Sequence, residues 1–285
     1  MERVVITGIH GYISNRVKRW FSLKGTECEL LDLRDASWKN YNFENVDTVI
    51  HCAALVHKKE KCHSLEEYMA VNCNLTTELA KVTKKAGVKN FIFISTMAVY
   101  GVKASCFRTC EINKDTEIVP ITKYGISKYE AEKNISEMIS DDFNVVIIRP
   151  PFVYGKGCPG NYGMLRKLVL KFGIVPKLQN KKSMIYIDNL CECIYQIYSS
   201  RRRGTFCPQD SRIVSTEDLS LLIGKYNNRK ITRLPLGCLV KLASFAVSKI
   251  RVAFGNEYYS EEFSTFDFEY RKINFEEAVR LTEEQ

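Results

Sequence analysis

Tyr124 and Lys128 lie four residues apart in Thr122-Lys123-Tyr124-Gly125-Ile126-Ser127-Lys128, and the following Tyr129-Glu130-Ala131-Glu132-Lys133 has the composition of a helix. On a helix, that step stacks two side chains on one face. An ammonium beside a phenol favours the phenolate and draws its pKa down from ~10. A tyrosine tuned in this way takes or gives a proton near neutral pH. The pair alone recurs often by chance, so the remainder of the chain has to supply a site around it.

A second group with chemical meaning stands at the N-terminus. Gly8-Ile9-His10-Gly11-Tyr12-Ile13-Ser14 follows the β-branched run Val4-Val5-Ile6-Thr7 and leads into a helical pattern through Val17, Trp20, Phe21 and Leu23. Strand, glycine turn and helix start form a dinucleotide pyrophosphate cradle. The glycines let backbone approach phosphate, and the helix N-terminus supplies N–H groups and a positive dipole end. The third small position holds Ser14 in place of Gly, which still permits close helix-to-strand packing. Asp32 closes a second strand 24 residues after Gly8. That is near the ~20-residue spacing at which a carboxylate meets the adenosine ribose. Only 18 residues separate Asp32 from His51, so the next βα unit reads as shortened.

The elements that must position these groups are buried strands at Val46–Cys52, Phe91–Ser95 and Val145–Arg149, the first running into the small-residue loop Ala53-Ala54. Between the first two lies an amphipathic helix, with Val71, Leu75, Leu79 and Val82 expected on the stripe facing a sheet, ending at Gly87. Strands alternating with helices imply an α/β fold, a doubly wound parallel Rossmann-like sheet with its ligand at the carboxyl ends of the strands. Gly8, Asp32, His51 and Thr96 fall at such ends. Pro150-Pro151 breaks the pattern, and shorter elements follow. The expected division is a dinucleotide-binding domain at 1–153, with 183–199 able to return to it, and a smaller α/β substrate-binding region at 154–285. Leu236 to Phe254 is apolar with helical spacing and carries Lys241, Lys249 and Arg251. A packed or oligomer-facing helix is the main reading, and contact with anionic lipid the minor one.

The totals exclude several classes. The chain has 285 residues, 45% hydrophobic and 26% charged, as a globular protein does. No apolar run is long and uncharged enough for a spanning helix. Eleven dispersed cysteines without a Cys-x-x-Cys pair read as reduced thiols, and a cytoplasmic location is expected. His10, His51, His57 and His63 have no ligand spacing, so no metal is expected. The formal charge of +9 suits an anionic ligand. The densest basic cluster, Arg201-Arg202-Arg203, reads as a solvated turn, and no nucleic-acid partner is expected.

Taken together, Thr7-Gly8-x-x-Gly11-Tyr12-Ile13, His51-x-Ala53-Ala54, Val71-Asn72, Ser95-Thr96-x-x-Val99-Tyr100-Gly101, Tyr124-x-x-x-Lys128, Arg149-Pro150 and Tyr186-Ile187-Asp188-Asn189 resemble the extended short-chain dehydrogenase/reductase family, in particular its nucleotide-sugar epimerase/dehydratase group. The resemblance runs in family order over roughly residues 3 to 200. It implies NAD as cofactor, with NADP as the alternative. Tyr124 falls on the acid/base, Lys128 on its partner that also holds the nicotinamide ribose, and Thr96 on the hydroxyl that bonds the reacting oxygen. Gly8, Gly11, Tyr12, Ile13, Asp32, Leu33, Cys52, Ala53, Ala54, Asn72, Ser95 and Pro151 fall on cofactor positions. Asn161 and Lys182 fall on the substrate side, where Lys182 replaces an Arg and loses its bidentate fork.

Family dehydratases carry Asp-Glu directly after that Thr; here Met97 and Ala98 cannot move protons. Hydride transfer at sugar C4 remains. The expected activity is a UDP-glucose or UDP-N-acetylglucosamine 4-epimerase, with a 4-keto-sugar nucleotide reductase as the alternative and a non-catalytic dinucleotide sensor as the alternative of another class. The resemblance also implies a homodimer built from the helices at 65–86 and 123–139.

Overall fold

Each central strand sends alternate side chains into two different cores, and this period of two sets the architecture. Val4 and Ile6, Ile50, Ile92 and Ile94, Val146 and Ile148 enter one core. Their chain neighbours Val5, Val49, Phe91 and Phe93, Val145 and Ile147 enter the other. A sheet buried on both faces needs helices on both sides. The structure is a computed structural model that describes residues 3–56, 62–102 and 105–284, apart from the side chains of Ser248 and Lys249. His57 and the Lys249 side chain therefore lie outside the described residues.

From the N-terminus the chain runs β1 (Arg3–Thr7), α1 (Tyr12–Leu23), β2 (Cys28–Leu31), a 3-10 turn at Ala36–Asn40 and β3 (Val46–His51). That turn is the shortened unit expected after Asp32. Next come α2 (Leu65–Tyr68), a π-helical stretch at Met69–Asn74, α3 (Leu75–Lys85), β4 (Asn90–Ile94), β5 (Thr109–Ile112), α4 (Lys123–Ser136) and β6 (Asn144–Ile148). The rest holds β7 (Phe152–Tyr154), α5 (Asn161–Phe172), β8 (Ile174–Pro176), β9 (Met184–Tyr186), α6 (Ile187–Ser199) and β10 (Gly204–Phe206). It ends with α7 (Thr216–Tyr226), β11 (Thr232–Leu234), α8 (Gly237–Ala246), α9 (Ser248–Phe254), β12 (Asn256–Tyr259) and α10 (Phe275–Glu283).

The six-stranded parallel sheet has the order β10-β6-β4-β3-β1-β2. The chain winds outward from β1 to β2, then crosses to β3 on the other side. The crevice between the carboxyl ends of β1 and β3 is thus the topological switch point, where such sheets bind ligands. α6 packs on α1, with Phe21 against Tyr195 and Tyr198 and the Trp20 indole donating to Glu192 at 2.9 Å. Residues 187–206 therefore rejoin the sheet.

Two local expectations need correction. Of the stripe Val71, Leu75, Leu79, Val82, the last three pack on the second core, but Val71 is 37% exposed, and the polar Asn72, Thr76 and Thr83 face inward beside Leu79. A π-helical turn carries an extra residue, and within it Val71 points out and Asn72 in. The polar residues this buries are satisfied locally, Thr76 donating to the Asn72 carbonyl at 2.8 Å and Thr83 to that of Ala80 at 3.0 Å. Likewise, 236–254 is not one helix; Val247 is extended and divides it into α8 and α9.

Candidate active site

Gly8 ends β1 with φ +93°, and a Cβ there would sit 3.2 Å from the Ala53 backbone. Only glycine lets the loops after β1 and β3 approach so closely. Gly11 begins α1 with no side chain capping the helix and no acid in its first turn, so its N–H groups and positive end are left for an anion. Ser14 is fully buried, and its hydroxyl donates to the carbonyls of Gly8 and Gly11. It ties the turn to the helix where a glycine would merely allow contact. The Tyr12 hydroxyl reaches across to the Lys156 carbonyl at 3.2 Å, and Ile13 packs on the first core.

Register places a polar relay behind this turn. Thr7 and His51 are paired across β1 and β3, and the Thr7 hydroxyl lies 2.7 Å from His51 Nδ1. His51 Nε2 lies 2.8 Å from the Thr76 hydroxyl, whose own proton goes to Asn72. Nε2 must therefore carry the ring proton, and Nδ1 accepts from Thr7. The Thr7 oxygen is then free to accept the N–H groups of Cys52 and Ala53, at 3.2 and 3.3 Å. Burial drives His51 down to about 3, so the ring is neutral and its tautomer fixed. Asn72 completes the frame. Its amide donates to the Leu55 carbonyl and to the Ser127 hydroxyl at 2.9 and 3.0 Å, and accepts the Leu55 N–H at 2.7 Å. Asn72 thus clasps the loop carrying Ala53 and Ala54 to the helix of Tyr124. The π-helical turn that displaced Val71 is what aims this amide inward, and sequence periodicity carried no sign of it.

Thr96, at the carboxyl end of β4, caps the 3-10 turn Met97–Tyr100 by accepting the Ala98 N–H at 3.2 Å. α4 starts at Thr122, whose hydroxyl accepts the Gly125 N–H at 3.0 Å. A Cβ on Gly125 would lie 2.6 Å from the Ala98 carbonyl oxygen. The missing side chain lets α4 touch that turn, which brings the Thr96 hydroxyl beside the Tyr124 phenol. Gly125 was within the motif quoted from the sequence, but this packing role was not visible there. Thr96 and Tyr124 present two hydroxyl groups together, able to hold and protonate one substrate oxygen.

The charge balance differs from the sequence expectation. Burial pushes the Tyr124 phenol up to about 12, with the Thr96 hydrogen bond opposing it. Lys128 is itself buried, donates to the Ile94 carbonyl at 2.7 Å and lies over the Phe93 ring. Burial brings it down to about 7, so as it stands it is a weak cation for the phenol. The sign of the consequence is fixed. The unfolded chain binds a proton here up to pH ~10.5 and the folded one only up to about 7. Stability therefore rises with pH between those values. Lys128→Met should stabilise the ligand-free protein near pH 7, by ~1–3 kcal/mol after losing the Ile94 hydrogen bond. That gain should shrink toward pH 10. A variant less stable than the parent at every pH would refute it.

Beneath the hydroxyl pair lies a buried ion pair that sequence reasoning named only as Arg149-Pro150. Arg149 grips Glu132 through Nε at 3.1 Å and Nη2 at 2.6 Å, and its third nitrogen donates to the Tyr100 hydroxyl at 2.8 Å. Ser95 donates its hydroxyl to Glu132. The Ser95 side chain is thereby spent inside the protein. The remaining sequence candidates fall as follows. Asp32 ends the second strand with Arg34 forked across its carboxylate, which holds that carboxyl below its usual range. The Leu33 side chain lies in the second core. Cys52 is a neutral thiol, raised by burial to about 12. Pro151 is buried beside Pro150, whose carbonyl accepts the Met97 N–H at 3.0 Å. Asn161 is exposed at the start of α5. Lys182 donates to the Val252 carbonyl and lies 3.8 Å from Glu257. Among the described residues, no group of His, Cys, Asp and Glu is placed to hold a metal ion.

A doubly wound sheet, a glycine cradle at its switch point and a buried Tyr-Lys helix beside it define a dinucleotide-dependent enzyme of the short-chain dehydrogenase/reductase type. The chain belongs to the NAD dependent epimerase/dehydratase family, whose model matches residues 4–205. It is 30% identical to a UDP-glucose 4-epimerase of Vibrio cholerae over 245 residues, 76% of this chain and 74% of that protein. It is 27% identical over 212 residues to the N-acetyl-alpha-D-glucosaminyl-diphospho-ditrans,octacis-undecaprenol 4-epimerase of Escherichia coli O157:H7, 68% of this chain and 62% of that protein. Its fold matches the UDP-glucuronic acid 4-epimerase of Bacillus cereus, solved with NAD, at a TM-score of 0.73 and 15% identity over 98% of this chain and 94% of that one. The residues present fit NAD: Gly8, at φ +93° and with a Cβ position only 3.2 Å from the Ala53 backbone, keeps the turn tight, and the α1 N-terminus has no side-chain cap.

Proposed function

We propose that the chain is a nucleotide-sugar 4-epimerase acting on a UDP-linked hexose or N-acetylhexosamine. The observation that carries this is that α4, packed on the Thr96 turn through Gly125, sets the Thr96 and Tyr124 hydroxyls side by side, while Met97 and Ala98 directly after Thr96 cannot supply the proton transfers of a dehydration. The relatives named as 4-epimerases support it. When bound, the nicotinamide supplies a hydride acceptor and donor. Thr96 holds the sugar O4 and Tyr124 takes its proton, then returns it after the ketone has turned over. Lys128 serves the phenolate and the nicotinamide ribose. Gly8, Gly11, Tyr12 and Ile13 form the diphosphate cradle; Asp32 meets the adenosine ribose and disfavours a 2′-phosphate. Ala53, Ala54 and Pro151 line the cofactor. Cys52, Asn72 and Ser95 hold that lining in place. Asn161 and Lys182 belong to the substrate region at 154–285, where a diphosphate needs cations or N–H donors. Arg166, another candidate cation, is paired instead with Glu283 at 2.6 Å.

The test is to denature the purified protein, identify the nucleotide it releases, and assay UDP-glucose and UDP-N-acetylglucosamine. Co-purified NAD and interconversion at C4 are expected. An empty protein that oxidises NADH or NADPH only with a 4-keto-sugar nucleotide would make it a reductase. No thermal shift with any dinucleotide or UDP-sugar would make it neither.

A cytoplasmic homodimer belongs to the same reading. No helix among the described residues is long and apolar enough to cross a membrane. The outer faces of α3 and α4 would meet a second copy, and Val71, turned outward by the π-helical stretch, would join that contact. Light scattering at micromolar concentration should give twice the chain mass; a monomer would remove the dimer and leave the chemistry untouched.

A further inference from the structure

We propose that the α8–α9 face docks on an anionic phospholipid surface. On α8 the residues turned outward are the apolar ones: Leu239 and Leu242 are each 62% exposed and Phe245 71%. Val247 and Val252 continue the exposed line, and Phe107 from a neighbouring loop stacks on Phe245 at 4.9 Å. Leu239, Leu242 and Phe245 stand three residues apart, which keeps them on one side of α8. Ser244, a polar residue, is the buried one. The face is thus inverted relative to a core helix, and contiguous exposed apolar surface of this kind marks an interaction site.

Charge selects the occupant. Residues 219–256 contain seven Lys and Arg and no Asp or Glu. Arg251 is exposed on α9 and Lys177 close to the start of α8, where Gly237 packs on the Lys177 carbonyl; Arg233, also exposed there, is shared with Glu217 at 3.7 Å. An exposed apolar face on a segment rich in cations and without acids fits the interface of an anionic leaflet, where the apolar groups enter the acyl boundary and each cation gains from the surface potential. A second copy fits poorly. A two-fold contact would set this acid-free segment against itself and bring like charges together. Both helices are short, so they would lie in the interface without spanning it. The face is also tied to the substrate region, since Lys182 donates to the Val252 carbonyl and the Thr216 hydroxyl to that of Ala253 at 2.5 Å. Docking would turn that region toward the membrane.

The proposal stands apart from the catalytic reading and is tested without turnover. The full chain is mixed with sedimentable vesicles of phosphatidylglycerol and phosphatidylethanolamine, or of phosphatidylcholine alone, across a range of salt. Binding to the anionic vesicles is expected, weakening with salt, with little binding to phosphatidylcholine. The double variant Leu242→Glu with Phe245→Glu, checked for unchanged circular dichroism, should bind at least ~10²-fold more weakly. Arg251→Gln and Lys241→Gln should each cost about fivefold and flatten the salt dependence; they keep the test open if the double variant misfolds. Three results would overturn it: no binding of the parent protein to anionic vesicles, variants that bind as the parent does, or a parent dimer that the double variant turns into a monomer.

Discussion

Tyr124→Phe is expected to lower turnover of the UDP-sugar by about 10²- to 10⁴-fold, the usual contribution of a positioned acid or base. Cofactor affinity and melting temperature should hardly move. The substitution deletes one oxygen, keeps the ring and leaves the buried side chain packed. The structure gives the claim its shape. The phenol is neutral at rest, held near 12 by burial, so its first capacity is to donate. It becomes a base only when charge is arranged around it, and Lys128, poised near 7, is the group able to gain a proton for that purpose. The parent should therefore lose activity below neutrality less steeply in the reduction direction than in the oxidation direction. Thr96→Ala should cost less than Tyr124→Phe, because a water can replace a bridging hydroxyl. Steady-state rates for both variants, with dinucleotide titrations alongside, decide the matter. A Tyr124→Phe enzyme that keeps most of its rate would end the acid/base assignment.

Glu132→Ala should destabilise the protein by ~3–5 kcal/mol, the cost of leaving a buried guanidinium without its partner. Whole domains are stable by only ~5–15 kcal/mol, so much of the margin would go. Arg149 and Glu132 are both buried, and the Ser95 hydroxyl and the Tyr100 hydroxyl complete the network. Removing one member strands the others. Replacing both charges, as Glu132→Leu with Arg149→Met, should recover most of the loss, because an apolar pair of similar volume avoids the desolvation cost altogether. Urea unfolding with unchanged m-values reads the difference. The double variant should still turn over poorly. Ser95 precedes Thr96, and Glu132 stands one helical turn beyond Lys128 on the same face and adds to the field that keeps its proton. A single variant within about 1 kcal/mol of the parent would show that the pair is solvated and unimportant.

Sequence alone determined β1, β2, β3, β4 and β6, because apolar runs buried on both faces read as strands, and with them the doubly wound sheet and the glycine turn after Thr7; the edge strand β10 is too short to show in the sequence and is set by its pairing with β6. It also determined that Tyr124 and Lys128 share a helix face, since a four-residue step allows nothing else. It failed where a residue's role depends on a distant partner. Periodicity put Val71 against the sheet, and a π-helical turn put Asn72 there. Composition treated Glu132 as one more helix glutamate, yet the pairing of β4 with β6 carries Arg149 onto it. The Tyr124 pKa went the same way: a helical step predicts a cation beside the phenol, but burial of both side chains, a property of the assembled layers, raises one and lowers the other. Local spacing fixes which side chains share a face; the proton each of them keeps is decided by how much water the tertiary structure removes.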